Sequence, residues 1–250
     1  MKPIVMFTYS IVAYLIGFAS LLLWILSLSD FVPQISIDRN PETDFPFAIA
    51  KDIGLLLLFV IPHSLMARKP FKAWITRVVP QPIERSTYVL QSGLLLTLLV
   101  TQWEPLGGNI WTVAEGTIGY FVVYFLFFTG WIILFISTFL INHFDLFGLR
   151  QTFLELLKKP YTPLDFKIIG FYKFVRHPLY FGIILGMWSA PVMTTSHLVT
   201  AILLTIYIVV GATLEESDLM REFAVSYQAY RKKTPMLIPF LRKEDNSSQT

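Results

Sequence analysis

Residues 118–141 read IGYFVVYFLFFTGWIILFISTFLI, twenty-four consecutive positions without one charged side chain. A helix rises 1.5 Å per residue, so the run extends about 36 Å. That is enough to cross roughly 30 Å of hydrocarbon. A surface helix of a water-soluble domain would carry a polar face, and this run has none. It therefore predicts a membrane-spanning helix and sets the class of the whole fold. Working outward, residues 4–28, 47–66 and 86–103 predict three further spans. Residues 179–193 are shorter and interrupted by Pro191, and 198–214 follow after the turn PVMTTSH. These last two predict a short helical hairpin.

The predicted fold is all-α, a polytopic integral membrane helix bundle of about six spans in a single membrane domain over residues 1–250. The first span and an external loop occupy 1–46, and spans two to four occupy 47–141. A long basic connection occupies 142–178 and the hairpin 179–216. Leu214, Leu219, Phe223, Tyr227 and Tyr230 then recur at spacings of three to five, which predicts an amphipathic helix over 217–242. The polar tail 243–250, KEDNSSQT, is expected to be disordered.

Composition agrees. The chain is 54% hydrophobic and only 15% charged, against about 25% charged in ordinary soluble domains. Its net charge of +3 does not point to nucleic acid, because the basic residues flank apolar runs. Arg68, Lys69, Lys72, Arg77 and Arg85 lie between the second and third spans, and six more lie between the fourth and fifth. Loops 29–46 and 104–117 hold one arginine between them. Positive loops remain cytoplasmic, so all basic loops share one side if both termini are cytoplasmic. There is no cysteine, which excludes disulfides and a protein thiolate nucleophile. The four histidines show no metal-binding spacing, so no metal site is expected. No phosphate-binding glycine motif is present either.

Three groups of residues hold chemistry at the basic end. In FVRHPLYFG (174–182), Pro178 suits the first position of a helix, where its missing N–H costs nothing. His177 then caps that helix, and Arg176 adds a fork suited to a carboxylate or phosphate. The plainer alternative is a topology charge beside a cap. Glu215 and Glu216 follow the apolar run 201–214, and carboxylates at membrane depth demand partners. Neighbours on a helix diverge by about 100°, so one faces a pocket while the other can meet Arg176 or Lys173. Together with Tyr180 these residues predict a corner suited to a zwitterion. In INHFDLFGLRQ (141–151), His143 and Asp145 converge only if the helix ends there, which Gly148 permits. They form either a base pair for proton transfer or a buried polar pair, beside Arg150. His63, in IPHSLMAR, is a second candidate base, and Glu84 and Arg85 are a possible ion pair.

The stretches VRHPLYFG, LEESDL and FAVSYQAYRKKTPMLIP resemble the isoprenylcysteine carboxyl methyltransferase superfamily. HSLMARKPFK, IERSTYVL, STFLINHFDLFGLRQ, YTPL and APVMT resemble its nurim-like branch, which includes the bacterial methanethiol S-methyltransferases. The resemblance runs from about residue 52 to 239. It implies an enzyme of a bacterial inner membrane with its active site on the cytoplasmic side. It implies S-adenosyl-L-methionine (S-adenosylmethionine) bound around Arg176, His177, Pro178, Tyr180, Glu215 and Glu216, with Tyr161 of YTPL beside them. The implied reaction is methyl transfer to a small thiol, methanethiol giving dimethyl sulfide, inside the lipid bilayer. His143 with Asp145 is the first candidate base, His63 the second, and Arg150 a stabiliser of the anion. The branch leaves two alternatives, a prenylated or lipid acceptor and a non-catalytic membrane protein.

Overall fold

The computed structural model describes residues 1–239. The expected tail 243–250 and the last residues of the expected helix 217–242 lie outside the described residues. The rest is predominantly helical. The helices are α1 (Pro3–Ser27), α2 (Phe45–Met66), α3 (Lys69–Ile75), α4 (Glu84–Gln102), α5 (Ile118–Ile141), α6 (His143–Leu146), α7 (Leu149–Leu156), α8 (Pro178–Trp188) and α9 (Thr195–Lys233). Two short strands, β1 (Asn109–Thr112) and β2 (Val192–Thr194), pair antiparallel, with Asn109 opposite Thr194.

Local sequence explains the helix starts. Pro3 and Pro178 stand in the first turns of α1 and α8. Asp44 accepts from the Phe47 amide, Thr117 from Tyr120 and Thr194 from His197, so three long helices begin on a side-chain cap. Among the described residues α1, α2, α5 and α9 are long and apolar enough to cross a membrane. Much of their surface is apolar and exposed, as with Phe121, Phe125 and Phe139 of α5, which suits a hydrocarbon solvent.

Three expectations need revision. The turn PVMTTSH and the loop 104–117 are not wholly irregular, because each contributes a strand to the small sheet. The predicted helix 179–193 is only Pro178–Trp188. The chain turns at Ser189, before Pro191, and enters β2. The sixth span and the amphipathic helix are one element, α9, interrupted only at Ala224, whose φ is 27°.

Glycines let the helices approach closely. A Cβ on Gly130 of α5 would stand 2.5 Å from the Gly186 nitrogen of α8. A Cβ on Gly93 of α4 would stand 2.9 Å from the Gly17 Cα of α1. In lipid, where burial of apolar surface gives little advantage between helices, small residues of this kind hold a bundle by close packing. The core runs through Trp24, Leu99, Trp103, Phe127, Trp131 and Leu134.

The end opposite the basic loops is tied by polar bonds. His197 Nδ1 lies 2.9 Å from Asp38 Oδ2, and its Nε2 donates to the Met187 carbonyl at 2.8 Å. Thr194 Oγ1 also donates to Asp38. Arg39 donates to the Trp103 carbonyl at 2.9 Å, and Lys51 pairs with Glu104 at 2.9 Å. The loop after α1 is thereby stitched to the end of α4 and the start of α9, and α2 to the segment after α4.

Candidate functional site

The basic end opens into a cavity of about 670 Å³ bounded by α1, α2, α4, α5, α8, α9 and the segment 164–172. Its mouth holds Arg176, His177, Tyr180 and Glu215, with Tyr172 and Tyr230. The helix rule for Glu215 and Glu216 holds. Glu216 turns inward, and its Oε1 accepts from Arg176 Nε at 2.5 Å and lies 3.2 Å from His177 Nε2. Glu215 remains about half exposed and accepts from the Tyr180 hydroxyl at 2.8 Å.

Arg176 serves the scaffold more than the sequence suggests. Its Nη1 donates to the carbonyls of Arg231 and Thr234. Its backbone amide donates to Pro235 and that of His177 to Met236. The guanidinium thus joins the start of α8 to the end of α9, with Glu216 as its counter-ion. His177 is buried beside it, its ring stacked on Tyr180 at 5.4 Å between centroids. Pro178 occupies the first turn of α8 as expected. Burial raises the Tyr172 hydroxyl above the usual phenol range, helped by the charge of Glu215, so Tyr172 remains a neutral donor.

The structure does not bring His143 to Asp145. The backbone breaks at Asn142, whose side chain caps the Asp145 amide at 3.0 Å, and Gly148 adopts a φ of 86°. The helix ends as predicted, but His143 turns back into the bundle. Thr138 spends its hydroxyl proton on the Phe135 carbonyl, so His143 Nδ1 donates to Thr138 Oγ1 at 2.8 Å. Nε2 then accepts from Tyr14 at 3.0 Å. Both nitrogens are satisfied in the neutral ring, which lies flat on Phe139 at 4.3 Å. Burial holds the His143 pKa below the usual histidine value. This is an interior histidine, and it lies outside the cavity lining.

Asp145 pairs instead with Arg150 at 2.8 Å. Arg150 also binds the Thr162 carbonyl and hydroxyl, both at 3.0 Å, and lies over the Tyr161 ring. Tyr161 donates weakly to Asp145 at 3.4 Å. Burial and then the Asp145 charge raise its pKa. Asp145, Arg150 and Tyr161 therefore form one cluster that fixes the segment after α7, away from the cavity wall.

His63 does line the cavity, deeper than the mouth. Its Nδ1 lies 3.0 Å from Ser92 Oγ and its Nε2 2.9 Å from the Tyr88 hydroxyl. Phe59 stacks on its other side, 5.1 Å away. Ser64 and Tyr207 share a hydrogen bond of 3.0 Å next to it. Arg85 lies over the Tyr88 ring at 5.0 Å and donates to the Leu146 carbonyl at 2.7 Å, rather than serving Glu84. Sequence reasoning missed Tyr88, Ser92 and Tyr207. A signal was present: Arg85, Tyr88 and Ser92 fall at i, i+3 and i+7 of one apolar span, the spacing of a single helix face.

A carboxylate with a phenol beside it, aromatic faces and a helix start converge on one mouth. The buried hydroxyl of Tyr227, also in the lining, has no hydrogen-bond partner among the described residues.

The chain is 51% identical over 214 residues to a methanethiol S-methyltransferase of Crocosphaera subtropica, covering 86% of this chain and 83% of that one. It is 39% identical over 240 residues to a methanethiol S-methyltransferase of Mycobacterium tuberculosis, covering 96% and 98%. Nurim of Sus scrofa is 31% identical over 178 residues, covering 68% of each chain. No family profile and no solved structure matches the chain. Identities of this size over two thirds or more of each chain show the family: the chain belongs to the nurim-like family of methanethiol S-methyltransferases.

Proposed function

We propose that the protein transfers a methyl group from S-adenosylmethionine to methanethiol, giving dimethyl sulfide. The observation that carries this reading is one cavity joining two unlike polar sites. Its mouth, with His177, Tyr180 and Glu215, suits the methyl donor. The deeper cluster of His63, Tyr88 and Ser92 suits a small thiol. Glu215 would hold the ammonium or ribose hydroxyls, and the first turn of α8 would face the carboxylate. Arg176 and Glu216 keep that turn in place. When bound, S-adenosylmethionine supplies the electrophilic methyl group at its sulfonium centre.

The protein's own residues provide deprotonation, alignment and dryness. A small thiol is mostly protonated near neutral pH, and only the thiolate is strongly nucleophilic. His63 takes the thiol proton on a ring nitrogen. Tyr88 and Ser92 can each accept or donate, so the ring keeps its place in both protonation states. The Arg85 charge beyond Tyr88 favours the thiolate. His143, Asp145 and Arg150, the other candidates for this role, act through the scaffold. Apolar walls exclude water, and alignment contributes about 7–11 kcal/mol in well-oriented reactions.

The same reading places six crossings in the bilayer. Besides the four long helices, α4 crosses with its polar stripe turned to the cavity, and α8 pairs with the start of α9. Both termini and the mouth are then cytoplasmic, in a bacterial inner membrane. Membranes containing the protein, incubated with methyl-labelled donor and methanethiol, should release labelled dimethyl sulfide. Absence of label under conditions where a known methanethiol methyltransferase works overturns the proposal.

A further inference from the structure

The cavity does not stop at the cluster where a one-carbon thiol would react. On α4 the lining continues from Ser92 to Leu99, seven residues or about 10 Å deeper. On α9 it runs from Glu215 back to Leu204, eleven residues or about 16 Å. Beyond His63 the walls are Trp24, Leu96, Leu99, Trp131, Leu204 and Ile208. Leu99 and Trp131 are almost fully buried, so this stretch lies inside the bundle at membrane depth. Among the described residues it carries no charged side chain; the charged lining is Arg176 and Glu215 at the mouth, Asp165 and Lys167 of the segment 164–172, and Arg85. Methanethiol has no chain to place there.

Resting on the methyl-transfer reading above, we infer that this inner chamber is an acceptor-chain subsite, and that the protein methylates linear alkanethiols of several carbons. The sulfur sits beside His63 and the chain points away from the mouth, toward Trp24 and Leu99. The step is the same as for methanethiol. The S–H bond breaks with its proton passing to His63, a new S–CH₃ bond forms, and the methyl donor departs as S-adenosylhomocysteine. The orientation follows from polarity: the mouth offers charged and phenolic groups, which solvate an alkyl chain poorly, whereas the inner walls match it.

The test is kcat/KM for a series from methanethiol to hexanethiol, measured on the full-length protein in membranes. Each methylene buried in the chamber should raise kcat/KM about 4-fold, equivalent to ~0.8 kcal/mol, until the chamber is full. Partitioning of longer thiols into lipid gives a rise of its own, so the same series is run on Leu96→Phe and on Leu204→Phe. Either variant should lower the hexanethiol-to-methanethiol ratio at least 10-fold relative to wild type, and the pair guards against one failing to fold. Normal methanethiol turnover with the same ratio in wild type and both variants overturns the chamber assignment alone. Failure to methylate any thiol, with a control enzyme active, overturns the methyl-transfer reading and the chamber with it.

Discussion

Arg176 and Glu216, forty residues apart in sequence, meet through Nε and Oε1 at 2.5 Å, both side chains less than a tenth exposed. The contact turns a pair of motifs on two helices into one wall. It also changes the work assigned to Arg176, from ligand binder to clamp, and leaves His177, Tyr180 and Glu215 among the polar groups at the cavity mouth.

Glu216→Gln should unfold the wall more than it alters the chemistry. Removing one partner of a buried ion pair leaves the other uncompensated, at about 3–5 kcal/mol. Thermal unfolding in detergent should show a clear fall in Tm, with at least a 10-fold weaker affinity for S-adenosylhomocysteine in calorimetry. Glu215→Gln, at a half-exposed position, should weaken that affinity with little change in Tm. Equal Tm losses in the two variants would contradict the division of labour.

His63→Asn should lower kcat by about 10²–10⁴-fold, the usual contribution of a general base, with S-adenosylhomocysteine affinity kept within a few-fold. His143→Asn should lower Tm instead, with a far smaller effect on kcat in the folded fraction. The reverse pattern would return the base to His143.

The buried His143 also makes a pH prediction. Its folded-state pKa is depressed by burial, below the ordinary value of about 6.5. As pH falls, the unfolded chain therefore binds the proton first, and folding is disfavoured. The contribution of His143 is complete above about pH 6.5 and is lost as pH falls through the folded-state value, at no more than ~1.4 kcal/mol per pH unit. The stability gap between wild type and His143→Asn should shrink between pH 7.5 and pH 5.5. A gap independent of pH would show that the ring is not held neutral.

At the far end, Asp38→Asn should weaken the link to the fully buried His197. A cost of about 3 kcal/mol is expected by the same buried-pair argument. S-adenosylhomocysteine affinity should be unchanged, because Asp38 and His197 are absent from the cavity lining. A large loss of affinity in folded protein would reveal coupling between the two ends.

How much of this was legible from residues alone depends on range. The uncharged run 118–141 became α5 with the same bounds, because hydrocarbon permits no other state for such a stretch than a hydrogen-bonded helix. The meeting of Arg176 with Glu216 was also readable, since a hairpin must bring its two ends together. The separation of His143 from Asp145 was not. Two residues on a broken helix end have no fixed relative direction, and the hydroxyls that capture His143 come from Tyr14, far away in sequence, and from Thr138. The surroundings of His63 were hidden for the same reason, because Tyr88, Ser92 and Tyr207 reach it from other helices.

The sequence by itself determined the solvent and the class of fold. It also determined the helices that carry charge and the motif positions that gather at the basic end. These follow from hydropathy, proline and glycine placement, and helical periodicity, which act over a few residues at a time. The tertiary structure alone decided which polar groups share the cavity, that Arg176 is spent on Glu216, that His143 is sealed in aromatic rings, and that an apolar chamber extends beyond His63. Those outcomes depend on side-chain directions and on the close glycine-mediated approach of α1 to α4 and α5 to α8, which no local pattern fixes.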